Sequence, residues 1–172
     1  MPGAKEMIWK VIYVMSYKCT LDTKTHYLQY RFIHRILPTN TFLCRIGLID
    51  DNKCTFCKNE EETMKHLMWS CEYVSKLWND VYKWLNDLNI HVTVTYWEVY
   101  FGVYDNNDYL PFLNMIILLL KRYIYKCRVQ EINPIFIVFK NWITFTEKVE
   151  KNIANNRNKY GFHVKKWEPF LI

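Results

Sequence analysis

Glycine and proline are scarce in this chain, with Gly 4 and Pro 5 in 172 residues, against average usage of about 7% and 5%. Few breakers leave little provision for the tight turns of a many-stranded sandwich, so long helices are expected. There is no Gly/Ser-rich linker, no internal repeat and no low-complexity tract. The most apolar run, Leu110 to Leu120, contains Pro111 and Asn114. It is about half of the roughly 20 residues that cross a bilayer, which argues against a membrane partner. Near the start, Lys10 interrupts the apolar stretch Met7 to Met15, and no small-residue cleavage site follows, so a secretory signal is not expected. A phosphate-cradling glycine loop and a nucleophile elbow are also missing, and no acid–base constellation stands in their place. An enzymatic activity of the chain's own is therefore not expected.

What is present is apolar and aromatic. Hydrophobic residues make up 51% and aromatics 17%, which excludes intrinsic disorder as the overall description. A chain of this length buries roughly 70% of its unfolded surface and can support a core. The six cysteines, without a secretory signal, point to a reduced, intracellular protein of the nucleus or cytoplasm. In such a compartment clustered cysteines more often bind metal than pair with one another.

Net charge is only +6, but its distribution is uneven. Residues 1–49 carry seven cations and two acids, residues 50–112 five and eleven, and residues 113–172 eleven and four. The partition is +5, −6 and +7, an acidic middle between basic ends. It suggests a basic helical segment over 1–49, a metal motif with its following helix over 50–104, and basic helices over 105–172, together forming one compact unit. Asp105-Asn106-Asn107-Asp108 reads as the turn between the last two.

Leu28, Phe32 and Ile36 recur every fourth residue, so a helix is expected over Thr23–Leu37, stopped by Pro38. Lys24, Arg31 and Arg35 would share one face, where they could follow a phosphate backbone; an ordinary solvated face, common on helices, is the plainer explanation. Thr39 or Asn40 can cap a short helix ending at Gly47. Asn59 with Glu62 reads as a capping box for a helix reaching Trp69. A further helix over Glu72–Leu88 aligns Val74, Leu77, Trp78, Val81, Trp84 and Leu85 as a core stripe. Thr95 and Glu98 make another capping box. A long helix over Tyr109–Arg128 is apolar first and then basic, with Lys121, Arg122, Lys126 and Arg128 interleaved with tyrosines. Such a pattern can grip phosphates and stack on bases; a buried helix with snorkelling cations is the competing explanation. Asn133-Pro134 opens a last helix running toward Gly161, followed by the basic Lys165-Lys166-Trp167.

The chemistry is concentrated in Cys54-x2-Cys57-x8-His66-x4-Cys71. Three sulfurs and one imidazole within 18 residues suit tetrahedral Zn²⁺. Four protein ligands close the site to water, which makes it structural rather than catalytic. Three thiolates and Zn²⁺ sum to −1, so the site itself repels phosphate. His66 and Cys71 are five positions apart, about 140° round a regular helix, so the helix should break near Ser70. Cys19, Cys44 and Cys127 lack metal spacing. His26, His34, His91 and His163 are isolated, and Asp50-Asp51 alone is poor support for a two-metal polymerase site.

These residues resemble a known family. Leu28-Gln29-Tyr30-Arg31-Phe32 with His34 to Asn40, the block Cys54 to Cys71, Leu118 to Arg128 and Lys165-Lys166-Trp167 together resemble the C-terminal zinc-binding region of the reverse transcriptase polyprotein of LINE-type, non-long-terminal-repeat retrotransposons. The resemblance implies a nucleic-acid-associated module that helps a reverse transcriptase hold template RNA or target DNA, with Cys54, Cys57, His66 and Cys71 as the zinc ligands. The family's polymerase and endonuclease residues have no counterpart segment here. A chain opening on Met1 fits a separate fragment, a host-recruited gene or an excised domain.

The expectation is therefore an all-α, compact multi-helix domain around a Cys₃His zinc site that binds RNA or DNA through Lys24, Arg31, Arg35, Lys121, Arg122, Lys126, Arg128, Lys165 and Lys166. The alternative is a protein-interaction or scaffold module docking on a reverse transcriptase or a host protein.

Overall fold

The computed structural model describes residues 2–104 and 109–171, with side chains from Trp9 onward. The expected turn at Asp105 to Asp108 lies outside the described residues. Helices α1 (Pro2–Cys19), α2 (Thr23–Ile33) and α3 (Asn40–Arg45) precede a metal-motif loop and a π turn (His66–Ser70). They are followed by α4 (Glu72–Asp87), α5 (Tyr96–Phe101), α6 (Leu110–Val129), α7 (Phe136–Asn156) and α8 (Tyr160–Leu171). Among the described residues there is no strand, only an isolated bridge between Lys53 and Glu61. The all-α expectation is met.

Helix α6 is the centre. It is apolar on nearly every side from Phe112 to Ile124, as a helix surrounded by others must be, and it packs against α1, α2, α7, α8 and the π turn. The core runs from Met15 through the α4 stripe to Trp167. All six stripe residues of α4 are buried, as the helical period requires. The Thr95–Glu98 capping box is formed. Thr39 caps α3, and Gly47 follows it in the left-handed region at φ 73°.

Several boundaries differ from the expected ones. Helix α2 ends at Ile33, and Arg35 is left-handed at φ 55°. Arg35 therefore leaves the face of Lys24 and Arg31 instead of extending it. No helix starts at Asn59. The chain there is extended enough for Glu62 N–H to reach the Asn52 carbonyl at 2.8 Å, and Thr63 Oγ1 accepts from His66 N–H at 3.0 Å. Thr63 thus does the work assigned to Asn59, because Glu62 is drawn into the interior. Helix α7 begins after Ile135 rather than on Pro134, and it stops at Asn156. Lys165, Lys166 and Trp167 belong to a separate helix, α8, packed on α6 and α7.

Candidate functional site

The loop before the π turn brings the four expected ligands together. The ligand atoms of Cys54, Cys57, His66 and Cys71 all lie within 4.8 Å of one another. Cys54 Sγ and Cys71 Sγ are 3.9 Å apart, and Cys57 Sγ is 3.3 Å from His66 Nε2. Two sulfurs bound at about 2.3 Å on a tetrahedron stand about 3.8 Å apart. The donor set, its spacing and its burial thus fit zinc, held by three thiolates and His66 Nε2. Four such donors around one ion would complete a tetrahedral coordination shell.

Local structure explains the convergence. The π turn closes with the Cys71 N–H donating to the His66 carbonyl at 2.9 Å. That i→i+5 bond returns residues five apart to the same side, and Cys71 then turns extended at φ −61°, ψ 134°. The expected helix break falls one residue later than Ser70. Cys71 also immediately precedes α4, whose first amides, Tyr73 and Val74, hold its thiol below the ordinary range together with the larger effect of the Cys54 S–H. The same thiol–thiol hydrogen bond, aided by burial, pushes Cys54 up. Glu60 Oε2 sits 3.0 Å from His66 Nδ1. That nitrogen lacks an aligned hydrogen bond, so the contact is one of charge and distance, placed to orient the ring.

A second layer ties this loop to the helices. Glu62, at 0% exposure, accepts from Asn40 N–H at 2.9 Å, Thr55 N–H at 2.8 Å and Arg128 Nε at 2.9 Å. Arg128 also reaches Asn40 Oδ1 at 2.5 Å. Sequence reading missed Glu62 and Asn40 as a pair with Arg128, because the partners are separated by 66 and 88 positions. The available signal was a carboxylate next to Thr63 within a metal motif, and its capping role looked sufficient.

The nine expected cationic contacts divide. Lys121 is fully buried, donating to Gln29 Oε1 at 2.5 Å and the Val99 carbonyl at 2.8 Å. Burial lowers its pKa to about 7, and it cannot meet a phosphate. Arg128 is spent on Glu62. Lys166 is nearly buried against Glu150 and the Cys19 carbonyl. Glu150 also accepts from Thr20, Leu21 and Trp167, a polar knot beneath α8 that the sequence did not disclose. Central packing of α6 and docking of α8 removed these three from the surface. Arg122 is half-buried, paired with Asp22 and laid over the Trp142 ring at 4.9 Å.

Lys24, Arg35, Lys126 and Lys165 are exposed and Arg31 half-buried. Lys24 and Arg31 from α2 meet Arg122 and Lys126 from α6 along a groove of about 460 Å³, whose walls include Tyr27 and Tyr125. The two basic blocks, 91 positions apart between Arg31 and Arg122, become one surface. Arg31 stacks over Tyr27 at 5.3 Å, and Lys126 lies 5.3 Å from the Trp142 ring centre. No helix of the described residues is long and apolar enough to cross a membrane.

Residues 3–78 match the family described as zinc-binding in reverse transcriptase. The match takes in all four expected ligands, Cys54, Cys57, His66 and Cys71. No curated protein matches the chain.

Proposed function

We propose, from the premise that residues 3–78 form a reverse-transcriptase zinc-binding region, that the protein is an accessory module for holding RNA or DNA. Zinc fixes the loop, and the loop positions the helices that meet phosphate. The observation carrying this reading is the α2–α6 groove with Lys24, Arg31, Arg122 and Lys126 along it. Three of these are free of internal ion pairs among the described contacts, while Asp22 holds the fourth in place. Cations on two helices separated by a groove can track a phosphodiester backbone, and the neighbouring tyrosines offer faces to bases.

Three to four phosphate contacts predict a slope of log affinity against log salt of about −3. Titrating RNA and DNA of equal length at two salt concentrations tests this. Absent or salt-insensitive binding would sink it. Lys126→Glu should weaken binding and flatten the slope by about 1, since one contact is lost.

A second reading, docking on the catalytic part of a reverse transcriptase or on a host protein, has its own support. Val129, Ile132, Ile135, Ile137 and Val138 are all about half exposed or more around the α6–α7 connection. It gains ground if Ile137→Glu with Val138→Glu abolishes association with a purified reverse transcriptase domain and leaves nucleic-acid affinity unchanged.

A further inference from the structure

On the opposite side of α2 from the groove, aromatic rings from three helices form a continuous file, exposed except at the half-buried Phe101. Trp97 stacks nearly parallel on Phe101 at 6.0 Å, and Phe101 meets Trp9 at 6.0 Å. Trp9 is 6.1 Å from Tyr13, Tyr13 is 5.7 Å from His34, and His34 is 4.3 Å from Tyr30. Trp97 is 60%, Trp9 46% and Tyr30 49% exposed. Exposed tryptophans in a continuous series are costly to leave in water, so the file is built for an occupant.

The surroundings select its chemistry. Lys10 is exposed next to Trp9 in the chain, and Arg35 follows His34 closely enough to act on the Tyr96 phenol. Lys65 Nζ stands 5.8 Å over the Tyr96 ring, and Tyr96 abuts Trp97. Among the described residues, the carboxylate next to Trp97 in the chain is Glu98, and it closes the cap of Thr95. A file of flat rings bordered by cations complements an anionic polymer whose flat groups are uncovered. Bases in a duplex hide their faces against one another, whereas unpaired bases present them.

We infer that the Trp97–Phe101–Trp9–Tyr13–His34–Tyr30 file is a stacking platform for single-stranded nucleic acid. The inference rests on the nucleic-acid reading above and adds preference for an unpaired strand. Helix α2 then separates two functions, rings on its α1 side and cations on its α6 side.

The test measures binding of a labelled 20-nucleotide oligo-U strand and of a 20-base-pair RNA duplex at one salt concentration. Trp9→Ala and Trp97→Ala should each lower affinity for the strand about 10-fold, since stacking contributes about 1–3 kcal/mol per base. Affinity for the duplex should stay within about 2-fold. Trp97→Phe, which keeps a flat ring, should restore strand binding. Both tryptophans are exposed, and unchanged melting of each variant would confirm that binding alone is altered. Equal losses for strand and duplex would overturn the inference. So would unchanged strand binding in both alanine variants, which would leave the file to a protein partner. If wild type binds neither probe, the nucleic-acid reading fails as a whole. If Lys126→Glu weakens both probes while the ring variants weaken neither, the groove reading stands and only the platform falls.

Discussion

The metal loop and helix α6 are both dense in charged or ligating side chains, yet their residues reach their roles by different routes. In the loop, four ligands converge within 18 residues, and the spacing itself is the construction plan. In α6, four cations stand within eight residues and go to four different places. Lys121 turns into the core toward Gln29, Arg122 toward Asp22, Arg128 toward Glu62, and Lys126 to the surface. Local spacing decides when the partners are local. When the partners are 66 to 100 positions away, packing decides. The loop's donors are arranged for an ion and the helix depends on its surroundings, so the two should fail differently.

The largest difference should come from the ion. Binding free energies of structural zinc in small peptides run to about 10–16 kcal/mol. Cys57→Ser should therefore abolish stoichiometric zinc and collapse amide protection over residues 50–75. Helices α6 and α7 should stay protected, because their packing on one another does not use the metal. Hydrogen exchange resolves the segments; equal protection of 50–75 in wild type and variant would erase the distinction.

Glu62→Gln comes next, since it leaves Arg128 beside a neutral amide in a site with little access to water. A loss of about 3 kcal/mol is expected, read by denaturant unfolding of the zinc-loaded protein. Adding Arg128→Met should recover part of that loss, because the orphaned charge goes with it. If the single change costs under about 0.5 kcal/mol, loop and helix are not joined here.

Lys121 gives a smaller, pH-dependent effect. Its folded pKa is lowered by burial to about 7, against 10.5 in the unfolded chain. Between those values the unfolded chain binds the extra proton, so folding gains as pH rises. Below about pH 7 both states are charged, and the cost of burying the ammonium is fully present. From pH 7 to 9, wild type should gain on Lys121→Met by about 1 kcal/mol per pH unit. Parallel stability–pH curves would show that the side chain is not held dry. The smallest effect on folding belongs to Lys126→Glu, within about 0.5 kcal/mol, although it should weaken nucleic-acid binding most plainly.

The same contrast explains what the sequence disclosed. The α4 stripe and the Thr95–Glu98 box were legible because they repeat within a few residues. So were the four ligands. The fates of Lys121 and Lys166 were not, because a basic block on a helix looks alike whether its neighbours are water or Gln29 and Glu150. Glu62 illustrates a sharper failure: a local pattern, the box with Asn59, fitted it well, and a long-range ion pair took it instead. The groove was half legible, its cations named but their meeting unseen. Helix α1 passed as an interrupted apolar stretch, since Ile12, Met15, Ser16 and Cys19 form a short buried face among exposed rings.

Cys71 is at once the last ligand and the residue from which α4 departs. Anchoring it therefore sets the rotational phase of the following helix. Removing one residue from 67–70 would carry the α4 stripe about 100° around its axis, turning Leu77 and Val81 out of the core and bringing exposed Lys76 and Lys83 toward it. The interval between His66 and Cys71 is thus a ruler for helix orientation as much as for coordination. Changes of length there should be far more damaging than changes of identity at exposed Ser70.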